Sequence, residues 1–176
     1  MNGLNIRLMF AESWRVALKI MAIIHRMVSA EGDHYPPIDL QYQFHINPLV
    51  KMSQFQDPFS PRFRECVMWV RTYSCYLKQR LLCNVYFRYD IVTENQNAQK
   101  IEDLGMENVL KYLPPLQQLL GCLIDCTPQG SHVALNSLIQ YALNLLVNDC
   151  PNICAAINTC MESSWIRSSA CPEKML

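Results

Sequence analysis

Apolar side chains recur every three or four residues from residue 13 onward, and prolines interrupt this pattern at intervals. This spacing places side chains on one face of an α-helix, so it predicts a series of amphipathic helices. Residues 31–63 carry five of the ten prolines, and we expect a loop with short helical turns there, such as residues 47–53. About six helices in tandem predict an all-α fold, either a helical bundle or an α-solenoid.

The first long helix is predicted to begin with Ser13 as its N-cap and to end before Gly32. Five side chains share its apolar face: Trp14, Leu18, Met21, His25 and Val28. Four share the opposite, polar face: Arg15, Lys19, Arg26 and Ser29. Because His25 lies on the apolar face, we expect it to be a hydrogen-bonded core histidine rather than a metal ligand or a general base.

Further helices are predicted over residues 61–85, 102–112, 116–126, 131–147 and 153–161. The helix over 61–85 has an apolar stripe made of Cys66, Val70, Tyr73, Leu77 and Leu81. The helix over 131–147 is apolar around most of its circumference, which predicts that it is the central helix of the fold.

Prolines are expected to set several of these boundaries. A proline lacks a backbone N–H and its ring collides with the preceding helical turn, so Pro114 and Pro115 should separate two helices and Pro151 should end another. Residues 84–93 have the aromatic and β-branched composition of a strand. Without a partner strand, they are interpreted as a helix end followed by an extended linker.

Composition excludes several classes of protein. The 176 residues suit one domain, and fifteen basic residues balance fifteen acidic ones. Zero net charge argues against a strongly basic nucleic-acid-binding protein, and a hydrophobic content of 51% argues against disorder. Aromatic side chains interleave with Arg80 and Arg88 as in some nucleic-acid-binding proteins, but helix packing explains them more simply. No apolar run is long enough to span a membrane.

Nine cysteines and no N-terminal export signal predict free thiols inside the cell. Cys122 with Cys126, and Cys150 with Cys154, are each four residues apart, so either pair could direct two thiolates to one side of a helix. Zinc sites usually use two cysteines separated by two residues, and that spacing is absent. We therefore favour packing cysteines over a metal site.

No catalytic constellation emerges from the sequence. The four histidines share no ligand spacing, and no glycine-rich phosphate-binding motif is found among five glycines. We predict that the chain is not an enzyme and that it has no catalytic, metal or cofactor residues. A thiol-dependent enzyme is left as the lesser alternative.

Five motifs occur in one order along the chain: SWRVALKIMAIIHR over 13–26, WVRTYSCYL over 69–77, LPPLQQLL over 113–120, IQYAL over 139–143 and AAIN over 155–158. In this order they resemble the ANTH domain of plant clathrin assembly proteins. The resemblance implies a helical solenoid, an ENTH/ANTH-like superhelix of stacked helices, and no catalysis. It also implies an endocytic adaptor that binds phosphoinositide lipids, clathrin, the adaptor complex and vesicle SNAREs and promotes formation of clathrin-coated vesicles. The implied location is cytoplasmic and peripheral, on coated pits and vesicles at the plasma membrane or Golgi apparatus.

The sequence also departs from this family. A lysine-rich phosphoinositide site precedes the tryptophan helix in the family, whereas Arg7 is the sole basic residue within 1–12 here. We therefore expect the position of that lysine cluster to fall upstream of Met1, and we assign the phosphoinositide site to no residue of the chain. Residues 159–176 do not follow the family pattern. The predicted division is an N-terminal leader over 1–12, a partial and incomplete ANTH-like domain over 13–162, and a divergent tail over 163–176.

Two expectations about the surface follow. Loss of the covering helices should leave an apolar patch exposed near Trp14, Leu18 and Met21 and cause the chain to associate. Residual membrane affinity could come from basic residues on the predicted polar faces: Lys19, Arg26, Arg71 and Lys78. Solubilising charge is the simpler explanation for these four, because they form no polybasic cluster. The alternative function is a helical protein-interaction scaffold without lipid binding.

Overall fold

The computed structural model describes residues 2–29, 46–58, 61–87, 90, 92 and 106–169. The helices in these ranges are α1 (Asn2–Met9), α2 (Trp14–Ser29), α3 (46–52), α4 (Arg64–Phe87), α5 (Met106–Asp125), α6 (Ser131–Ala134) and α7 (Ser137–Ser169). A single 3-10 turn, Pro61–Phe63, leads into α4. The ranges described contain no strand, so the predicted all-α fold class is confirmed.

The central helix is α4, since its buried side chains cover about two thirds of its circumference. It runs parallel to α2. At the start of both helices, the rings of Trp14 and Phe63 lie 5.9 Å apart, and near their ends Arg80 of α4 donates a hydrogen bond to the hydroxyl of Ser29 of α2. It runs antiparallel to α5, which forms a helical hairpin with α7 through the short α6. The prediction that residues 131–147 form the central helix is wrong, because α7 faces solvent along one side, where Val147 is 64% exposed.

The apolar stripes predicted for α2 and α4 are both buried in the structure. The prediction of an exposed apolar patch on α2 is wrong, because Trp14, Leu18 and Met21 are fully buried. The reason is that α1 packs against α2 and contributes Leu8 to the same core, to which α3 adds Leu49. Residues before Ser13 thus form a helix that covers α2 and supplies part of the hydrophobic core.

The start of α2 depends on a residue far away in sequence. Ser13 stands at the N-cap position, where its carbonyl accepts the first helical hydrogen bond from Ala17 N–H at 3.0 Å. The N–H of Trp14 donates to a carboxylate oxygen of Asp57 at 3.0 Å. An acceptor at a helix start satisfies a donor that has no partner within the helix. Asp57 therefore fastens the segment after α3 to the first turn of α2.

The predicted break at Pro114 and Pro115 is wrong, because α5 runs unbroken through both residues. Each proline deprives one carbonyl, at Leu110 or Lys111, of its helical donor. Both of these residues are exposed, so water can replace the missing donors. Buried Val109 and Leu116 anchor the two halves of α5 in one core, and this packing outweighs the local cost of the prolines.

The boundaries of α7 also differ from prediction. The expected helix over 131–147 is interrupted after Ala134, and α7 begins at Ser137 because the side-chain oxygen of Asn136 accepts the N–H groups of Leu138 and Ile139. The helix then continues through Pro151, so the predicted end there is wrong. Pro151 has no N–H to donate to the carbonyl of Val147. Val147 lies on the exposed side of α7.

Two smaller predictions concern the segments around α4. The short helical turn predicted over 47–53 is confirmed by α3. The helix predicted over 61–85 extends to Phe87, while most of the predicted extended linker lies outside the described residues. Within the part of the chain that the structure describes, no helix combines the length and apolar character needed to cross a membrane.

Candidate functional site

A cluster of polar side chains lies inside the protein where α2, α4 and α7 meet. One carboxylate oxygen of Asp149 accepts three hydrogen bonds, from His25 Nε2 at 2.7 Å, from Arg80 Nη1 at 2.8 Å and from the hydroxyl of Tyr76. The other ring nitrogen of His25 lies 2.8 Å from the hydroxyl of Tyr73. These contacts join one residue of α2 and three of α4 to one residue of α7.

Arg80 carries the positive charge of this cluster although its side chain is completely buried. Its Nη2 donates to Asp90 at 2.8 Å, and its Nη1 also donates to the hydroxyl of Ser29 at 2.9 Å. The guanidinium group therefore lies between two carboxylates, and the attraction of both holds the pKa of Arg80 above its usual value even though burial opposes this. Breaking such a buried pair leaves an uncompensated charge inside the protein.

The protonation states follow from burial and charge. Burial lowers the pKa of His25 below its usual value, and the hydrogen bond to Asp149 only partly offsets this. Burial alone would raise the pKa of Asp149, but the hydrogen bond from His25 and the charge of Arg80 bring it below the usual value. His25 is thus neutral and Asp149 ionised at neutral pH. In this state His25 Nε2–H donates to Asp149 and its Nδ1 accepts from Tyr73.

The cluster is a structural device rather than a catalytic one. His25, Tyr73, Tyr76 and Arg80 are all fully buried, so a substrate has no access to the imidazole or the carboxylate. The prediction that His25 is a hydrogen-bonded core histidine is confirmed. Sequence reasoning missed Arg80 and Asp149. The available signal was that Arg80 lies three residues after Leu77, and Asp149 three residues after Leu146, on the apolar faces of their helices.

The outer face of α2 carries a second candidate site, a cationic stripe made of Arg15, Lys19 and Arg26, all exposed. At 3.6 residues per turn, these positions fall within about 40° of one another and extend over about 16 Å of the helix. The guanidinium carbon of Arg15 lies 4.6 Å from the ring centre of Trp14 and 5.0 Å from that of Phe63. These contacts hold one end of the stripe in place.

The other two predicted basic residues do not join this stripe. Arg71 and Lys78 are half-buried on α4, on the side facing away from the His25 contact. Arg71 Nε donates to the carbonyl of Phe55 at 2.6 Å, so its side chain holds the segment that follows α3. Among the four predicted cations, the structure thus brings together Lys19 and Arg26 and adds Arg15 to them.

The cysteines behave mainly as core residues. Cys66, Cys83, Cys126 and Cys160 are buried, which confirms the packing interpretation for these four. Burial raises the pKa of Cys83 and of Cys126 to about 12, so both are neutral thiols at physiological pH. The sulfurs of Cys150 and Cys154 lie 4.0 Å apart on α7. The side chains of the described segments contain no group of three or more His, Cys, Asp or Glu placed to hold a metal ion.

The model of the ANTH domain family matches residues 2–163, which is most of the chain. The chain belongs to the ANTH domain family. The predicted resemblance is thereby confirmed. The family match begins at residue 2, so the matched region includes α1; the predicted division into a leader over 1–12 and an ANTH-like domain over 13–162 stays a prediction.

Two further predictions about the ends of this ANTH chain stay predictions. The first is the placement of the family's lysine cluster upstream of Met1, a residue that lies outside those described. The second is the separate tail over 163–176, of which residues 170–176 also lie outside the described ranges. On the described helices, three exposed basic residues form the cationic stripe of α2.

Similar proteins carry names that refer to clathrin. The chain is 37% identical, over 89% of its length, to "Putative clathrin assembly protein At5g57200" from Arabidopsis thaliana, and covers 28% of that protein. It is 24% identical, over 83% of its length, to the human "Phosphatidylinositol-binding clathrin assembly protein" and covers 22% of it. It is 23% identical, over 83% of its length, to the human "Clathrin coat assembly protein AP180" and covers 16% of it. The ANTH chain therefore spans about a quarter or less of these relatives.

The five motifs that predicted ANTH membership have a common physical role, which is to build the core. The motif over 13–26 supplies Trp14 and His25, and the motif over 69–77 supplies Trp69 and Tyr73. The indole N–H of Trp69 donates to the carbonyl of Cys126 at 2.7 Å and so joins α4 to the end of α5. The motifs identify the ANTH fold because they define its interior packing.

Proposed function

We propose that this ANTH-domain chain is an accessory adaptor in the formation of clathrin-coated vesicles. The observation that carries the proposal is the match of the ANTH family over residues 2–163, together with relatives named for clathrin assembly and phosphatidylinositol binding. The adaptor acts on the cytoplasmic side of coated pits and vesicles, at the plasma membrane or Golgi apparatus. Its proposed partners are phosphoinositide lipids, clathrin, the adaptor complex and vesicle SNAREs, and it performs no catalysis.

The cationic stripe of α2 is the surface we assign to lipid contact. Three exposed cations in one line can each approach a headgroup phosphate without moving the helix, since Arg15, Lys19 and Arg26 share one face. A basic residue at an anionic membrane contributes about 1 kcal/mol. Three of them contribute about 3 kcal/mol, which is roughly a hundredfold in affinity. This supports weak, charge-dependent membrane binding.

Liposome sedimentation tests the proposal. We expect the chain to sediment with phosphatidylcholine vesicles that contain phosphatidylinositol 4,5-bisphosphate and to stay in the supernatant with phosphatidylcholine alone. The triple variant Arg15→Gln/Lys19→Gln/Arg26→Gln should lose this binding. As a matched pair, Lys19→Gln should weaken binding, whereas Lys111→Gln, at another exposed helical lysine, should leave it unchanged. Equal sedimentation of the triple variant and the unmodified chain would contradict the assignment to α2.

Clathrin binding is tested separately by cosedimentation with assembled clathrin cages. A second candidate function is a helical interaction scaffold without lipid binding. It is favoured by the exposed side chains of Met161 and Trp165, one turn apart on α7, of which Trp165 is 79% exposed. Failure to bind any vesicle, combined with capture of a defined protein partner that Trp165→Ala abolishes, would favour the scaffold over the adaptor.

A further inference from the structure

A small groove lies on the opposite end of α4 from the buried Arg80, between the start of α4 and the turn after α5. Its cavity is about 120 Å³ and its lining is largely apolar. Met68 and Trp69 form its apolar part, and Met68 is 62% exposed. Two carboxylate side chains, Glu65 and Asp125, also line it. We call this feature the acidic groove.

Hydrogen bonds hold the walls of the acidic groove in place. Trp69 is fixed by its indole bond to the carbonyl of Cys126. The hydroxyl of Thr72 donates to the carbonyl of Trp69 at 2.8 Å, and that of Thr127 donates to the carbonyl of Ile124 at 2.7 Å. The part of the groove formed by Trp69, Thr72 and Thr127 is therefore preformed, so a ligand would bind there without the cost of ordering it.

The position of Asp125 is unfavourable for the helix that carries it. Asp125 is the last residue of α5, and the last turn of this helix contains no basic residue. A helix C-terminus has a partial negative charge, so a carboxylate there is repelled rather than stabilised. A residue that breaks a local stability rule without compensation is expected mainly at functional positions.

Glu65 adds a second negative charge at a defined place. Its carboxylate packs directly against Gly130, since a Cβ at that glycine would come within 2.3 Å of its oxygen. In the described part of the chain, neither Glu65 nor Asp125 takes part in an ion pair. The groove thus combines an apolar surface with two carboxylates that lack a cationic partner among these residues.

We infer that the acidic groove binds a lysine or arginine side chain from an extended segment of a partner protein. Such a side chain has an aliphatic stem that matches Met68 and Trp69 and a cationic end that matches Glu65 and Asp125. An anionic lipid headgroup is disfavoured at this place because both charges would repel it. The inference is independent of the proposed lipid contact, which uses α2.

Nuclear magnetic resonance titration tests the inference with a defined probe. The pentapeptide acetyl-Ala-Leu-Arg-Leu-Ala-amide is added to the full chain, and the indole signal of Trp69 and the amide signal of Gly130 are followed. Both should shift and saturate. The same peptide with glutamine in place of arginine should bind at least about tenfold more weakly, since it lacks the charge-assisted hydrogen bonds.

Variants make the test specific. Glu65→Gln/Asp125→Asn should remove most of the binding, and circular dichroism should show that the variant stays folded because both side chains are exposed. Glu162→Gln, which neutralises an exposed acid on α7, should bind the peptide like the unmodified chain. Equal shifts with the arginine and glutamine peptides would overturn the inference. So would unchanged binding in the double variant, or the absence of any saturable shift at Trp69 and Gly130.

Discussion

Replacing Asp149 by asparagine gives the sharpest test of the buried polar cluster, because the substitution nearly keeps the size of the side chain while it removes the negative charge and turns one oxygen into an NH2 group. The amide oxygen can still accept from His25 and Tyr76, but Arg80 loses one of its two carboxylate partners. Removing one partner of a buried ion pair costs about 3–5 kcal/mol. Since Asp90 still pairs with Arg80, we expect the lower end, about 3 kcal/mol.

This loss is large relative to the stability of ordinary domains, which is about 5–15 kcal/mol. Urea unfolding followed by circular dichroism at the helical band measures it. With a urea dependence of about 2 kcal/mol per molar, the midpoint should fall by roughly 1.5 M. The unfolding slope should not change, because the variant keeps the same fold.

Asp90→Asn is the matched control. Asp90 also pairs with Arg80, but its side chain is 17% exposed, compared with 7% for Asp149. Water can replace part of this interaction, so we expect a loss of about 1 kcal/mol. A loss below about 1 kcal/mol for Asp149→Asn, or equal losses for the two variants, would refute the view that the deeper burial of Asp149 makes its charge the more costly one to remove.

Three further predictions concern pH, a turn and the thiols. Because burial lowers the pKa of His25, the unfolded chain binds a proton more readily, so the melting temperature should fall as the pH drops below about 6.5; a His25→Gln variant with an equal fall would contradict this. Gly130→Ala should cost about 1–3 kcal/mol in urea unfolding, since Gly130 has a φ of 85° and a ψ of 155°, which other residues avoid; a neutral result would oppose the strain argument. Iodoacetamide should modify Cys83 and Cys126 only after unfolding, because burial raises the pKa of each to about 12, and mass spectrometry of the native chain would reveal any exception.

Helical periodicity predicted the parts of the fold that depend on local sequence. The spacing of Trp14, Leu18 and Met21 correctly placed these residues on one apolar face of α2, although the expectation that this face is exposed was wrong. The same reasoning failed at Pro114 and Pro151, because tertiary packing on both sides of each proline outweighs a local penalty of about 3 kcal/mol. Local rules give the energetic cost of a proline within a helix, whereas packing in the core determines whether the helix continues despite that cost.

The buried cluster lay beyond prediction for a different reason. Sequence position showed that His25 needs polar partners but did not indicate which, since Tyr73 is 48 residues away and Asp149 is 124 residues away. The hydrogen bond from Trp14 to Asp57 at the start of α2 also joins residues that are distant in sequence, 43 positions apart. The acidic groove was missed because Glu65 and Asp125 lie on different helices, and only the fold places them around one cavity.

The position of Asp149 along the chain also determines when the protein can become stable during its synthesis. Asp149 follows Arg80 by 69 residues. At translation rates of about 5–20 residues per second, roughly 3–14 s pass between the synthesis of the arginine and that of its partner. During this interval a nascent α2–α4 pair would have to bury the guanidinium group without that carboxylate. The packing of α2 and α4 around Arg80 is therefore complete only when α7 has left the ribosome and docked.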